Sequence, residues 1–183
     1  MRRPRAGAGP VQAHPHGQGV LHPCRPGRGA GAPGRLTAAA GVREQVIELQ
    51  AALAQVAPAT QRVRALLPGW LADAERDAIE LALAEALTNI VEHGYGADTQ
   101  EPVRLRVRER PTGLEIDIWD RGQPIPDGLI ESTDVTTTFL YDPTDLDGLP
   151  EGGMGLALIK AAFDEVRYGT RDGVNRLRLV RRL

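Results

Sequence analysis

The distribution of apolar residues predicts one long amphipathic helix in the middle of the chain. Between residues 73 and 96, apolar side chains recur at the three- and four-residue spacing of a single helical face. Asp73 is in the position of an N-cap, and Gly94 or Gly96 is in the position of a helix stop. The stripe that we expect to be buried consists of Leu83, Ala86, Leu87 and Ile90.

After this helix, the apolar period changes to two residues. Residues 102–110 alternate valine or leucine with arginine, and residues 113–120 alternate leucine or isoleucine with charged or aromatic side chains. This alternation is typical of strands with one buried and one solvated face. Because Pro111, Thr112 and Gly113 supply a turn between the two segments, we predict an antiparallel hairpin.

Shorter patterns complete the predicted fold. A long segment at residues 121–151, rich in acidic residues, follows the hairpin, and loops of this length are usually functional lids or disordered. The remaining predicted elements are strands at 42–51, 165–170 and 175–181 and helices at 58–71 and 152–163. Their order predicts an α+β fold, a two-layer α/β sandwich with a mixed or antiparallel sheet and helices on one face.

Composition separates the N-terminal region from the rest of the chain. Residues 1–36 contain six arginines, no acidic residue and much glycine and proline, a composition that favours disorder. This region is a basic tail, a translated upstream region before a true start near Val42, or a targeting segment, although no apolar stretch follows its twin arginine. We therefore predict a disordered tail at residues 1–41 and one domain at residues 42–183.

The charge balance argues against direct binding of nucleic acid. The formal net charge of the whole chain is −2, and six of its 22 basic residues precede residue 37, so the rest carries 16 basic and 24 acidic groups. An acidic body of this kind binds nucleic acid poorly.

No apolar run is long enough to span a membrane, and the single cysteine excludes an internal disulfide. We therefore expect a cytoplasmic protein.

Three polar side chains form a row on the long helix. Glu85, Asn89 and His93 are four residues apart, so they share one helical face beside the apolar stripe. A solvated face, or a Glu85–His93 pair near the helix end, would explain the row without a function. In the functional interpretation, the carboxylate lies near a ligand and the amide oxygen binds a cation such as Mg²⁺, which prefers oxygen ligands and retains several waters.

A second motif, Asp-Arg-Gly, follows the hairpin. Asp120 ends the second strand, and Gly122 allows the backbone to approach another group closely. A carboxylate at a strand end can accept a hydrogen bond from an exocyclic amine of a ligand. An ordinary turn is the alternative explanation of the same residues.

Glycines open the last predicted helix. Gly152, Gly153 and Gly155 leave backbone N–H groups free at a helix start, where the helix dipole favours phosphate. The segment lacks the Gly-Lys-Ser/Thr of a Walker A loop, and no strand directly precedes it, as a dinucleotide fingerprint requires. A flexible joint between loop and helix is the alternative.

In this order, the three motifs resemble those of the GHKL ATPases, the group of gyrase, histidine kinases and MutL, whose nucleotide-binding sandwich is the Bergerat fold. The segments "AEALTNIVEHGYG" and "EGGMGLALIKAAFDEVRYGT" resemble one branch of that group more closely, the anti-sigma-factor serine/threonine kinases of the RsbW and SpoIIAB type. The resemblance extends over residues 42–183.

The resemblance implies a role for the first two motifs. Asn89 would coordinate Mg²⁺, and Glu85 would be the general base that accepts the proton of a substrate hydroxyl. Asp120 would accept a hydrogen bond from the adenine amino group, with Gly122 allowing close approach.

The resemblance also implies where the rest of the nucleotide binds. The family has polar residues near the nucleotide at the positions of His93 and Asn175. Gly153 and Gly155 would cradle the phosphates, and the adjoining Met154 and Leu156 would also belong to the cofactor site.

The implied function is that of an ATP- and Mg²⁺-dependent kinase that phosphorylates a STAS-domain anti-anti-sigma protein and sequesters a sigma factor. The alternative is a non-catalytic ATP-binding module that regulates its partner by sequestration. Glu151 favours the alternative, because some family members carry a basic residue directly before the glycines. Lys160, the only lysine of the chain, lies within the following helix.

The resemblance makes a homodimer possible, because family members of this type often dimerise. Arg104, Arg106 and Arg108 alternate along the first hairpin strand and offer a basic surface for an acidic partner. A solvated strand face is the simpler explanation of the same pattern.

Overall fold

The structure, a computed structural model, describes residues 42–135 and 154–183. The predicted tail at 1–41, most of the predicted lid, Glu151, Gly152 and Gly153 lie outside the described residues. The strands are β1 (Arg43–Gln50), β2 (Pro102–Arg110), β3 (Gly113–Asp120), β4 (Glu165–Arg171) and β5 (Val174–Arg182). The helices are α1 (Leu53–Leu66), α2 (Asp73–Asn89), α3 (Leu129–Ser132) and α4 (Met154–Ala162), and a π-helical segment (Ile90–Tyr95) continues α2.

A five-stranded sheet in the order β1-β2-β3-β5-β4 forms one layer of the domain. Neighbouring strands are antiparallel throughout. The register aligns buried apolar side chains across the sheet, because Leu105 pairs with Ile47 and Ile118, and Ile118 pairs with Leu177. The predicted α+β fold is confirmed, and its sheet is antiparallel rather than mixed.

Helix α2 lies at the centre of the helical layer. It packs against α1 on one side and α4 on the other. Leu83, Ala86 and Leu87 are buried, as predicted, whereas Ile90 is only partly buried. Burial of each leucine contributes about 1.5–3 kcal/mol relative to an exposed side chain. None of the described helices is long and apolar enough to cross a membrane.

The predicted start of α1 is wrong. The helix begins at Leu53 and continues through Pro58, where the sequence pattern placed its start. The cause is a cap from a distant part of the chain, because Asp98 Oδ1 accepts a hydrogen bond from the Leu53 N–H at 2.9 Å. The helix ends at Leu66, before the predicted break at the Pro-Gly pair.

The predicted N-cap of α2 is also wrong, whereas one of its predicted stops is confirmed. Ala72, not Asp73, is the N-cap, and the Glu75 carboxylate accepts a hydrogen bond from the Ala72 N–H at 2.9 Å. The helix leads into the π-helical segment, which ends at Gly96 with a left-handed φ of 77°. Such π-helical turns are frequent at functional sites.

The face of the sheet opposite the helices has a buried carboxylate at its centre. Asp117 is 0% exposed. Arg106 donates to its Oδ2 at 2.7 Å, and Arg176 and Arg178 donate to its Oδ1, each at 2.9 Å. Burial would raise the pKa of the Asp117 carboxyl, but the hydrogen bonds from these arginines outweigh burial, so its pKa lies below its usual value.

We expect Asp117 to contribute stability that is lost in acid. The pKa of the Asp117 carboxyl is lower in the folded protein than its usual value of 3.8, which applies to the unfolded chain. The ionised carboxylate therefore stabilises the folded protein above the unfolded pKa. This stability is lost as the pH falls through the folded pKa. Asp117→Asn should lower the free energy of unfolding by about 2–4 kcal/mol at neutral pH, because the arginines lose their counter-charge. Urea denaturation at neutral pH and at about pH 3 should show a smaller difference from wild type in acid.

Asp172→Asn is the matched control for this prediction. Asp172 lies in the β4–β5 turn with 89% of its side chain exposed and a φ of 54°, which asparagine also adopts readily. Its substitution should change stability by no more than about 0.5 kcal/mol. Equal losses in the two variants would contradict the stabilising role of Asp117.

Candidate functional site

A cavity of about 480 Å³ lies where α2, the end of β3 and the start of α4 meet. The first motif contributes Asn89 and His93 to its lining, the second contributes Asp120, and the third contributes Gly155 and Leu156. The apolar side chains that line it include Ala86, Ile90, Ile125, Leu129, Ile159 and Leu177. Its volume and mostly apolar lining with a few polar groups are typical of a small-molecule site.

The start of α4 lies directly against the polar row of α2. A Cβ on Gly155 would lie 2.8 Å from Glu85 Oε2 and 3.3 Å from Asn89 Nδ2, so the absence of a side chain permits this approach. Glu85 is half-buried and does not line the cavity; it lies one helical turn before Asn89, which does. Both side chains therefore face the first turn of α4, where the helix dipole is positive.

The carboxylate of Asp120 is fixed at the end of β3. Its Oδ1 accepts hydrogen bonds from Asn175 Nδ2 at 2.8 Å and from the Gly122 N–H at 2.9 Å. Asn175 is buried opposite Asp120 in the β3–β5 register, and Thr170 Oγ1 donates to its Oδ1 at 2.8 Å. Both of these contacts use Oδ1, and Asp120 is part of the cavity lining.

The backbones of Gly94 and Gly122 are in direct contact. A Cβ on Gly122 would lie 2.7 Å from the carbonyl carbon of Gly94. The Gln123 N–H donates to the Gly94 oxygen at 2.6 Å, and Asn175 Nδ2 donates to the Gly122 oxygen at 2.9 Å. This contact joins the π-helical end of α2 to the loop after β3. It is the close approach that the Asp-Arg-Gly motif predicted, and its partner is another glycine.

Two tyrosines hold the rest of the loop after β3. Tyr95 Oη accepts a hydrogen bond from the Arg121 N–H at 2.9 Å, and Tyr168 Oη accepts one from the Ile125 N–H at 3.0 Å. Desolvation by burial raises the pKa of the Tyr95 phenol above its ordinary value. Every backbone N–H of residues 121–125 thus has a partner, since residue 124 is proline. These hydrogen bonds tie the loop wall of the cavity to β4, to the end of β3 and to the π-helical segment.

The chemistry of the cavity suits a flat heteroaromatic ring that carries an amine. The apolar walls favour burial of such a ring. A buried carboxylate requires hydrogen-bond partners, and an exocyclic amine can supply a further one to Asp120.

The motifs and the fold agree with a known family. The profile of the family described as the histidine kinase-like ATPase domain matches residues 49–181. The chain belongs to this family. The matched region contains all three motifs, and the predicted membership of the GHKL group is confirmed.

Curated relatives carry the name of one branch. The serine-protein kinase RsbW of Bacillus subtilis is 34% identical over 101 residues, which cover 55% of this chain and 61% of that protein. RsbW of Bacillus licheniformis is 35% identical over 101 residues, covering 52% and 58%. The chain therefore spans about three fifths of the length of these relatives. The RsbU and RsbW domains of a Mycobacterium tuberculosis protein align with a TM-score of 0.47 and 23% identity over 76% of this chain and 32% of theirs.

Some predicted site residues of this histidine kinase-like ATPase domain do not line the cavity. Asn175 supports Asp120 from within the sheet, and Gly122 lines an adjoining hollow. Met154, the first residue of α4, is 41% exposed and is not part of the lining. His93 does line the cavity and is exposed, and Gly153 lies outside the described residues.

The sequence patterns missed the apolar wall and the two tyrosines. Ala86 and Ile90 were assigned to the core stripe, because helical periodicity does not distinguish a side chain that faces the core from one that faces a cavity. Tyr168 and Leu177 reach the cavity through the pairing of β4 with β5, which no local pattern reveals. For the two tyrosines, the only signal in the sequence that could have assigned them to the site was the residue type itself.

Lys160 does not face the cavity. Its Nζ donates to the carbonyl oxygens of Ile130 at 3.0 Å and Thr133 at 2.5 Å, at the end of α3. Arg121 lines the adjoining hollow rather than the cavity. Within residues 42–135 and 154–183, no lysine or arginine belongs to the cavity lining.

We expect Gly122→Ala to disturb the contact between α2 and β3. The added methyl group would meet backbone atoms of Gly94, which no side-chain rotation can relieve, so the free energy of unfolding should fall by about 1–3 kcal/mol. Gly169→Ala in β4 is the control, because no atom lies within 4 Å of its Cβ position. Urea denaturation measures both variants, and equal effects would contradict the close contact.

Proposed function

We propose that the cavity binds ATP, with the adenine ring between the apolar walls and its amino group donating to Asp120. The observation that carries this proposal is the position of Asp120. Its carboxylate is held by Asn175 inside an apolar cavity, and the same cavity extends to Gly155 at the start of α4. A buried acceptor at one end and a helix N-terminus at the other match a base and its phosphates.

The first turn of α4 is the proposed phosphate site, and Asn89 is the proposed ligand of Mg²⁺. An amide oxygen is a ligand that Mg²⁺ accepts, and this ion usually completes its octahedron with phosphate oxygens and water. The described residues hold no group of three or more His, Cys, Asp or Glu side chains able to bind a metal, so Asn89 with phosphates is the donor set that fits. When bound, Mg²⁺ would neutralise phosphate charge.

We further propose that Glu85 is the general base in transfer of the γ-phosphoryl group to a serine or threonine hydroxyl. The hydroxyl oxygen bonds to the γ-phosphorus while the bond to the bridging oxygen breaks, ADP leaves, and Glu85 accepts the hydroxyl proton. The support is the position of Glu85 against Gly155 and one turn before Asn89. This places the carboxylate beside the proposed phosphate site, where a base must be.

The proposed protein substrate is a STAS-domain anti-anti-sigma protein, and the proposed sequestered partner is a sigma factor. The support is the motif resemblance together with the name of the relatives, serine-protein kinase RsbW. We propose that the protein binds these two partners alternately in the cytoplasm and that it assembles as a homodimer.

A second candidate function is an ATP-binding regulatory module without phosphotransfer. The observation that favours it is the lack of a described cation in the cavity lining. Lys160 is occupied at the end of α3, and Arg121 lines the adjoining hollow. Phosphoryl transfer depends on neutralising the charge that develops on the γ-phosphate, so this shortage bears directly on catalysis.

We expect Asp120→Asn to weaken ATP binding about 10- to 100-fold. The asparagine side chain can place its NH₂ donor against the amino donor of adenine. The hydrogen bond from adenine to a charged acceptor, worth about 1.5–3 kcal/mol, is then lost. Asp127→Asn, in the same loop and exposed, is the control and should bind like wild type. Isothermal titration with ATP measures both variants. Equal affinity of Asp120→Asn and wild type would contradict the adenine assignment.

We expect Glu85→Ala to lower phosphotransfer about 10²- to 10⁴-fold while ATP binding is retained, because a general base acts on the chemical step. The protein is incubated with Mg·ATP and each STAS-domain protein of its source genome, and phosphoserine or phosphothreonine is detected by intact mass. Glu92→Ala, an exposed carboxylate near the same helix end, is the matched control.

The two candidate functions give different outcomes in this experiment. Phosphate on one STAS protein, lost in Glu85→Ala and kept in Glu92→Ala, supports the kinase. ATP binding without phosphate on any STAS protein supports the regulatory module. Phosphotransfer at the wild-type rate in Glu85→Ala would show that another group is the base.

A further inference from the structure

The open face of the sheet carries a basic cluster that the nucleotide site does not use. Its centre is two rows of paired positions on β2, β3 and β5. We name this cluster the arginine face. One row is Arg104–Trp119–Arg176, and the next is Arg106–Asp117–Arg178.

The side chains of the arginine face differ in how deeply they are buried. Asp117 lies at its floor and is completely buried. The arginines above it keep part of each side chain in solvent, with 23% exposed for Arg106, 29% for Arg178 and 40% for Arg176. A molecule that approaches this face therefore meets guanidinium groups and not the carboxylate that orders them.

Trp119 lies at the centre of the basic groups. The guanidinium carbons of Arg106, Arg176 and Arg104 lie 4.9, 5.4 and 5.8 Å from the indole ring centroid. These are cation–π distances, and they hold the partly exposed ring in place. Tryptophan and arginine together are the residues most enriched at the energetic centres of protein interfaces.

The charge of this face contrasts with that of the domain. Five arginines contact the two carboxylates that β3 carries on this face, Asp117 and Glu115, whereas the chain after residue 36 carries 16 basic and 24 acidic groups. On the neighbouring edge strand β1, Glu48 pairs with Arg104 and Glu44 pairs with Arg108, which gives that side of the face a negative rim. An acidic ligand is therefore drawn to the centre and to β5, away from β1.

We propose that the arginine face is a docking surface for an acidic segment of a partner protein. A second copy of this chain fits less well, because a two-fold contact would place arginines against arginines. Nucleic acid fits less well, because the remainder of the domain is strongly acidic. This proposal goes beyond the proposed nucleotide function and does not depend on it, since its residues lie outside the cavity lining.

The test uses the full chain with Trp70→Phe, so that Trp119 is the only tryptophan. The probe is a synthetic peptide of alternating glutamate and serine, and the glutamine–serine peptide is its neutral counterpart. We expect the acidic peptide to change Trp119 emission and to lose affinity as salt is added, while the neutral peptide does neither. Isothermal titration measures the affinity.

Variants that change the charge of single residues show where on the protein the acidic peptide binds. Arg104→Glu should weaken binding of the acidic peptide about tenfold, whereas Arg62→Glu, an equally exposed arginine on α1, should weaken it by less than about twofold. Glu48→Gln should strengthen binding, because it removes a carboxylate from the rim. Circular dichroism and ATP titration on each variant separate loss of fold and loss of the nucleotide site from loss of docking.

Four outcomes would overturn the proposal. The first is equal binding of the two peptides, and the second is equal weakening by the Arg104 and Arg62 variants. The third is binding of a DNA duplex as tight as that of the peptide at the same salt, which would make the face a general polyanion site. The fourth is a sedimentation mass of a dimer that Arg104→Glu returns to monomer, which would assign the face to a second copy.

Discussion

The contact between the backbones of Gly94 and Gly122 is the constraint on which the site depends. It joins the π-helical end of α2 to the loop after β3, and the absence of a side chain on Gly122 permits the separation observed, because a Cβ there would lie 2.7 Å from the Gly94 carbonyl carbon. Because Asn89 precedes one glycine and Asp120 precedes the other by a few residues, this contact sets the distance between the polar row and the strand-end carboxylate. The adjacent hydrogen bonds from Tyr95 and Tyr168 then hold the loop that forms one cavity wall.

The two faces of the sheet are stabilised by different kinds of interaction. On the helical side, aligned apolar side chains such as Leu105 and Ile118 are buried against α1, α2 and α4. On the open side, Asp117 is buried under arginines, and their hydrogen bonds outweigh the cost of removing its charge from water. The same sheet thus has a mostly apolar cavity on its helical side and a basic surface on the other.

The lining of the cavity has polar groups but, among the described residues, no positively charged side chain. Asp120 and Asn89 line the cavity, and Asn175 supports Asp120 from within the sheet. Lys160 supports the end of α3 instead, through two backbone carbonyl groups. If the cavity binds ATP as proposed, charge neutralisation at the γ-phosphate would depend on a metal ion and on the dipole of α4.

The sequence by itself determined the element order, the antiparallel hairpin, the buried stripe of α2 and the three motifs, because periodicity and glycine placement are local properties. The start of α1 at Leu53 was not predictable, since the distant Asp98 caps it, whereas the N-cap of α2 at Ala72 has a local signal, the Glu75 carboxylate three residues later. Tertiary structure alone decided that Asn175 supports Asp120, that Gly122 meets Gly94 and that Asp117 is buried on the open face. Each depends on strand register or helix docking, which bring together groups far apart in the chain.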